Sequence, residues 1–178
     1  MDYQNALEEI KTEFPEFKVV EKKDSRFMKM IDRALKILSF GKADKFMTQF
    51  TTTIGFVVYV PENWDSRDDD DKAEIMAHEA VHMRQAKRYG MLLFSLMYLL
   101  LPLPVLFAYF RMRFEMEAYE TSMQLAVARY GYDNVKRPEY REKLISQFTG
   151  PNYIFTWVYR PTIEKWFDNY LESLKPSK

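Results

Sequence analysis

His78 and His82 are the only histidines in the chain, and they stand four residues apart with Glu79 beside the first, in the stretch EIMAHEAVHMRQ (residues 74–85). Residues four apart on a helix share one face, one turn above the other. Two imidazoles placed this way can present ring nitrogens to one point in space, where a zinc ion sits about 2.0–2.1 Å from each. Glu79 projects about 100° round from His78, beside that point rather than on it. A carboxylate there can take the proton of a metal-activated water and later deliver it to the leaving amine of a peptide bond. Two histidines in an otherwise histidine-free chain are not one instance of a general habit.

Such a site needs a third protein ligand and an open fourth position. The chain has no cysteine, so it has no thiolate ligand and no disulfide framework. In a metzincin the third ligand is a histidine further along the same helix, with glycine at position 85 and histidine at 88. Gln85 and Arg88 stand there instead, which excludes that branch. The ligand must then be an Asp or Glu from elsewhere. The stretch RMRFEMEAYE (residues 111–120) offers Glu115, Glu117 and Glu120. Glu115 and Glu117 leave a helix in different directions, so they cannot both bind one ion.

HEAVH followed by EMEAY resembles the gluzincin type of zincin metallopeptidase, over roughly residues 49–125. The resemblance implies that Glu115 is the third ligand, that Ala118 packs closely beside it, and that Glu79 is the general base and acid. The position after that alanine is often Asp or Asn in such families and supports a histidine. Here it is Tyr119, a departure, although a phenol can also hydrogen-bond a ligand. The resemblance further implies that an edge strand before the active-site helix pairs with extended substrate. Thr53, Ile54, Gly55, Phe56 and Val57 are the aligning residues, with Gly55 letting another backbone come close. Gluzincins often steady the oxyanion with His or Tyr from the C-terminal part. No third histidine exists here, so Tyr153 and Tyr159, in NYIFTWVYRP with Arg160, are the candidates.

The elements that must position these residues are legible as patterns. Residues 2–13 read as a short helix ended by Pro15, and 16–22 as a short strand. Residues 24–40 read as a helix capped by Asp24 or Ser25, with Phe27, Met30, Ile31, Ala34, Leu35 and Leu38 at helical spacing and Gly41 as the stop. QFTTTIGFVVYVP (49–61) is rich in Thr, Val and aromatics and reads as one strand. Its core face would carry Phe50, Thr52, Ile54, Phe56, Val58 and Val60. Residues 62–72 read as a loop whose four aspartates form a solvated turn and favour the positive end of the next helix. Helices follow over 72–89, 111–131 and 138–148, and a last one runs to about residue 174.

Composition bounds the rest. A chain of 178 residues, 47% hydrophobic and 29% charged, is one globular domain. Its 26 basic residues balance its 26 acidic ones, which argues against nucleic acid as a partner. The N-terminal stretch lacks the apolar region of a secretory signal, so cytoplasmic location is the default.

Residues 90–110 carry no charge, and about 20 apolar residues can span a bilayer. A single crossing would put His82 and Glu115 on opposite sides of the membrane, so the run must turn back or stay out. LPLP (101–104) is a natural turning point. Two arms of about ten residues, each about 15 Å long, reach half of a bilayer core about 30 Å thick. The run is expected to meet lipid as a peripheral or monotopic anchor, to fill the core, or to form a protein interface.

The expected fold is α+β. It is a single zincin-like domain over residues 1–178 with a small sheet, an active-site helix and a glutamate helix (core 49–131). A hydrophobic hairpin (90–110) and a helical C-terminal lobe (132–178) complete it. The expected function is zinc-dependent hydrolysis of peptide or protein substrates. The alternative is a catalytically silent zincin-like assembly protein that uses residues 90–110 as an interface.

Overall fold

The computed structural model describes residues 2–38, 41, 45–99, 107–149 and 159–176. The fold is α+β, mostly helical with one small mixed sheet. It divides into two compact units, Met1–Met83 and Arg84–Lys178. The boundary falls inside a single helix, so that helix contributes to both.

In the first unit, α1 (Tyr3–Glu13) starts where the Asp2 carboxylate accepts from the Asn5 backbone N–H at 2.9 Å, satisfying an N–H that the first turn leaves open. β1 (Lys18–Glu21) follows, then a tight turn over Lys22–Asp24, then α2 (Arg26–Leu38). Ser25 is the α2 cap, its Oγ accepting from the Met28 N–H at 3.2 Å. Helical spacing found α2 but not which way it turns. Met28 is buried, while Phe27 and Met30 are exposed.

Residues 49–61 are not one strand. They form a hairpin of β2 (Thr52–Ile54) and β3 (Val57–Val60), antiparallel, with Ile54 opposite Val57. Gly55 has φ 64°, a backbone state that only glycine adopts without strain and that tight hairpin turns demand. The glycine expected to admit a second backbone in mid-strand is the point where the chain reverses. The expected six-residue core face breaks there: Val58 and Val60 are buried, Thr52, Ile54 and Phe56 are half-buried, and Phe50 is exposed. β3 is central, parallel to β1 on one side, which leaves β2 at an edge of the sheet.

α3 (Asp69–Tyr89) follows a short turn at Trp64–Ser66. Asp68 caps it, Oδ1 accepting from the Asp71 N–H at 2.7 Å, and Asp69, Asp70 and Asp71 occupy the first turn, where they complement the helix dipole. Met76, Ala80 and Met83 pack with Ile10, Phe14, Phe17, Val58, Val60 and Trp64 to make the core of this unit. Burying a methionine stabilises by roughly 1.5–3 kcal/mol, against about 1 kcal/mol for a cap. The methionine stripe therefore sets how α3 is rotated about its axis.

In the second unit, α3 ends at Gly90 (φ 81°) and α4 (Met91–Leu99) begins at once. α5 (Phe107–Tyr130) ends before Gly131, followed by α6 (Tyr132–Val135), α7 (Pro138–Thr149) and α8 (Arg160–Ser173). Met112, Met116, Met123 and Ala126 of α5 pack with Leu144, Ile145 and Phe148 of α7 and Ile163, Phe167 and Leu171 of α8. Arg141 clamps Asp168 with two hydrogen bonds of 2.9 Å, tying α7 to α8. Ala86, Phe94 and Phe114 form a smaller cluster where α3, α4 and α5 meet. No helix among the described residues is long and apolar enough to cross a membrane. The LPLP turn expected at 101–104 lies outside the described residues.

Candidate metal centre

With Met76 and Ala80 turned to the sheet, helical geometry carries His78 and His82 round to another side of α3. Their ring centroids lie 5.0 Å apart with planes at 76°. His82 is buried and His78 half-buried. Glu115, on α5, is buried at 5% exposure. Each of the three offers one ligand atom, and these atoms all lie within 4.8 Å of one another. Two imidazoles and one carboxylate are a donor set suited to zinc with an open fourth position.

The rival carboxylates of α5 have other partners. Glu117 accepts from Gln85 Nε2 at 3.0 Å and pairs with Arg88 at 3.4 Å. Glu120 accepts from the Trp166 indole at 3.0 Å. Ala118 is fully buried, and the Tyr119 ring packs 5.2 Å from Phe148.

Glu79 is buried, and the Thr53 hydroxyl donates to its Oε2 at 2.7 Å. Oε1 has no hydrogen-bond partner among the described residues. Thr53 was expected to align substrate. The structure joins it to the acid on α3, which binds the edge strand β2 to that carboxylate. Ile54 and Val57 are the last and first residues of the two hairpin strands, and Gly55 and Phe56 are its turn. Tyr153 lies outside the described residues. Tyr159 stands at the start of α8, 73% exposed, and Arg160 is engaged by Glu142 and Glu164.

Among the buried polar residues that sequence reasoning missed, two stand out. Gln85, fully buried, donates through Nε2 to the Phe114 carbonyl at 3.0 Å as well as to Glu117. A signal existed: 78, 82 and 85 follow the i, i+4, i+7 stripe of one helix face. Lys22 is the other. It is fully buried, its ammonium donating to the carbonyls of Phe46 (2.8 Å) and Phe50 (2.7 Å) and lying 3.7 Å from the centre of the Phe46 ring. Burial pushes its pKa down to about 7, while Glu79 and then Asp32 pull it upward. No pattern around Lys22 announces this, since KVVEKKD reads as a strand end running into solvent.

No family model, curated protein or solved structure matches the chain.

Proposed function

We propose that this chain is a zinc-dependent peptidase of gluzincin-like design. The observation that carries the reading is the convergence of His78, His82 and Glu115 on one point, with ligand atoms within 4.8 Å of one another. The buried acid Glu79 on the same helix supports hydrolysis over a purely structural metal, because a structural site has no use for a base.

A zinc ion there would supply Lewis acidity and lower the pKa of a water. The chain's own residues do the proton work. Glu79 takes a proton from the attacking water at Oε1 while the Thr53 hydroxyl holds Oε2. Hydroxide adds to the scissile carbonyl carbon, the C–N bond breaks, and Glu79 returns the proton to the leaving nitrogen. Because Thr53 is on the sheet edge, a peptide pairing with β2 would be in register with the acid that cleaves it.

Elemental mass spectrometry tests the metal. Wild type should carry about one zinc per chain, lost in Glu115→Ala and kept in Glu117→Ala and Glu120→Ala. Folded wild type that takes up no zinc sinks the proposal. Glu79→Gln should keep the zinc and lower casein hydrolysis by about 10²–10⁴-fold. If wild type binds zinc but cleaves nothing, the assembly reading replaces the enzymatic one.

A further inference from the structure

Between Glu79 and Glu115 the chain has no carboxylate and five cations: Arg84, Lys87, Arg88, Arg111 and Arg113. In a chain whose formal charge is zero, this is a strong local excess. The cations are confined to the two ends of the stretch, and residues 90–110 between them are uncharged. The two ends meet. The Tyr89 ring lies 5.4 Å from Phe114, and Phe94 lies 5.1 Å from the same ring. Arg88 and Arg113 and the aromatic residues Tyr89, Tyr109 and Phe110 therefore collect at one base, from which α4 departs. With Met97, Phe114 and Met116 they line a hollow of about 370 Å³ that Glu117 and Glu120 also border.

α4 is unusual for a helix exposed to water. Leu92 is 86% exposed, and Met91 and Leu93 are exposed beside it; only Phe94 of its first four residues is buried. At the base Tyr109 is 55% exposed. The order is thus cations, then amphipathic rings, then bare aliphatic side chains. A bilayer presents phosphate headgroups, then the interfacial zone, then hydrocarbon in that order.

We infer that α4 and the first turn of α5 dock on an anionic lipid surface and enter one leaflet only. The nine residues of α4 extend about 14 Å at 1.5 Å per residue, about half of a 30 Å hydrocarbon core. Lys87, Arg88 and Arg113 are left at headgroup level, Arg88 part-neutralised by Glu117. A second copy of the chain is a poorer occupant, because it would bring the same cations face to face. The inference is independent of the metal and of the proposed peptidase.

Flotation of the full chain with vesicles tests it. Binding is expected to phosphatidylcholine–phosphatidylglycerol vesicles and much more weakly to phosphatidylcholine alone. Leu92→Glu with Leu93→Glu should lower binding to the mixed vesicles at least about tenfold; both residues are exposed, and an unchanged unfolding temperature checks the fold. Lys87→Gln and Arg113→Gln should each lower it about fivefold on the anionic vesicles and leave binding to neutral ones unchanged. No flotation with anionic vesicles overturns the inference, as does flotation that the paired glutamates leave intact. A concentration-dependent dimer that those glutamates abolish, without vesicle binding, would assign the face to a second copy and equally overturn it.

Discussion

The two halves of α3 bury polar side chains to opposite ends. Around Gln85 the polar groups meet one another: Gln85 Nε2 reaches the Phe114 carbonyl and Glu117, and Glu117 also meets Arg88. Earlier on α3, His78 and His82 each offer an atom within 4.8 Å of one from Glu115, and the Thr53 hydroxyl donates to one oxygen of Glu79. A buried polar group closed on protein partners stabilises, because leaving it unmade costs about 1–3 kcal/mol. On the proposed reading, His78, His82 and Glu115 are grouped for a ligand the protein must bring in. On that reading the same helix, rotated by the same methionine stripe, does both.

A crossed pair of substitutions breaks this comparison most sharply. On the proposed reading, His82→Leu should abolish zinc binding while changing metal-free stability by less than about 1 kcal/mol. Gln85→Leu should do the reverse. Zinc stays at wild-type stoichiometry, and chemical unfolding reports a loss of about 1–3 kcal/mol. If Gln85→Leu empties the zinc, or His82→Leu unfolds the protein, the two halves are not separable and the contrast fails.

What the sequence made legible divides along the same line. The pair at 78 and 82 was readable because helical spacing alone puts both rings on one face, whatever α3 packs against. The helices were readable from caps and periodicity: Ser25 and Gly131 mark real ends, although α3 starts at Asp69, inside the stretch read as a loop. The hairpin was not, because TTTIGFVVYV alternates as a single strand would, and only the φ of Gly55 reverses it. Nor was the burial of Lys22, which depends on the carbonyls of Phe46 and Phe50, more than twenty residues away. Glu115 was reached through family resemblance, since spacing left three glutamates open. Partners on distant elements bear on the choice: Gln85 engages Glu117 and Trp166 engages Glu120, while Glu115 is the one grouped with the two histidines.

Lys22 sharpens the contrast from the sheet side, being buried in the field of Glu79 yet bonded to backbone. Folded, its ammonium loses its proton near pH 7; unfolded, near 10.5. Below pH 7 both states are charged and the full cost of burial stands. Between those values the unfolded chain holds the extra proton, so raising the pH stabilises the fold. Wild type should gain about 2 kcal/mol from pH 7 to pH 9 relative to Lys22→Met. Denaturant unfolding at the two values measures it, and parallel curves for the two proteins would show that Lys22 titrates as an ordinary lysine.

Thr53 gives the smallest effect and the finest test. Among the described residues its hydroxyl is the one donor to Glu79, so Thr53→Val keeps the shape of β2 and removes only that bond. A hydrogen bond to a charged group contributes about 1.5–3 kcal/mol, and Glu79 keeps 9% exposure, so the lower end applies. Unfolding should report a loss of about 1.5 kcal/mol, casein hydrolysis should fall about tenfold, and the zinc content should not move. Thr53→Ser, which keeps the donor, should recover most of the rate. If Val and Ser behave alike, Thr53 packs the hairpin and does not orient the acid, and the first half of α3 is closed on itself no more selectively than the second.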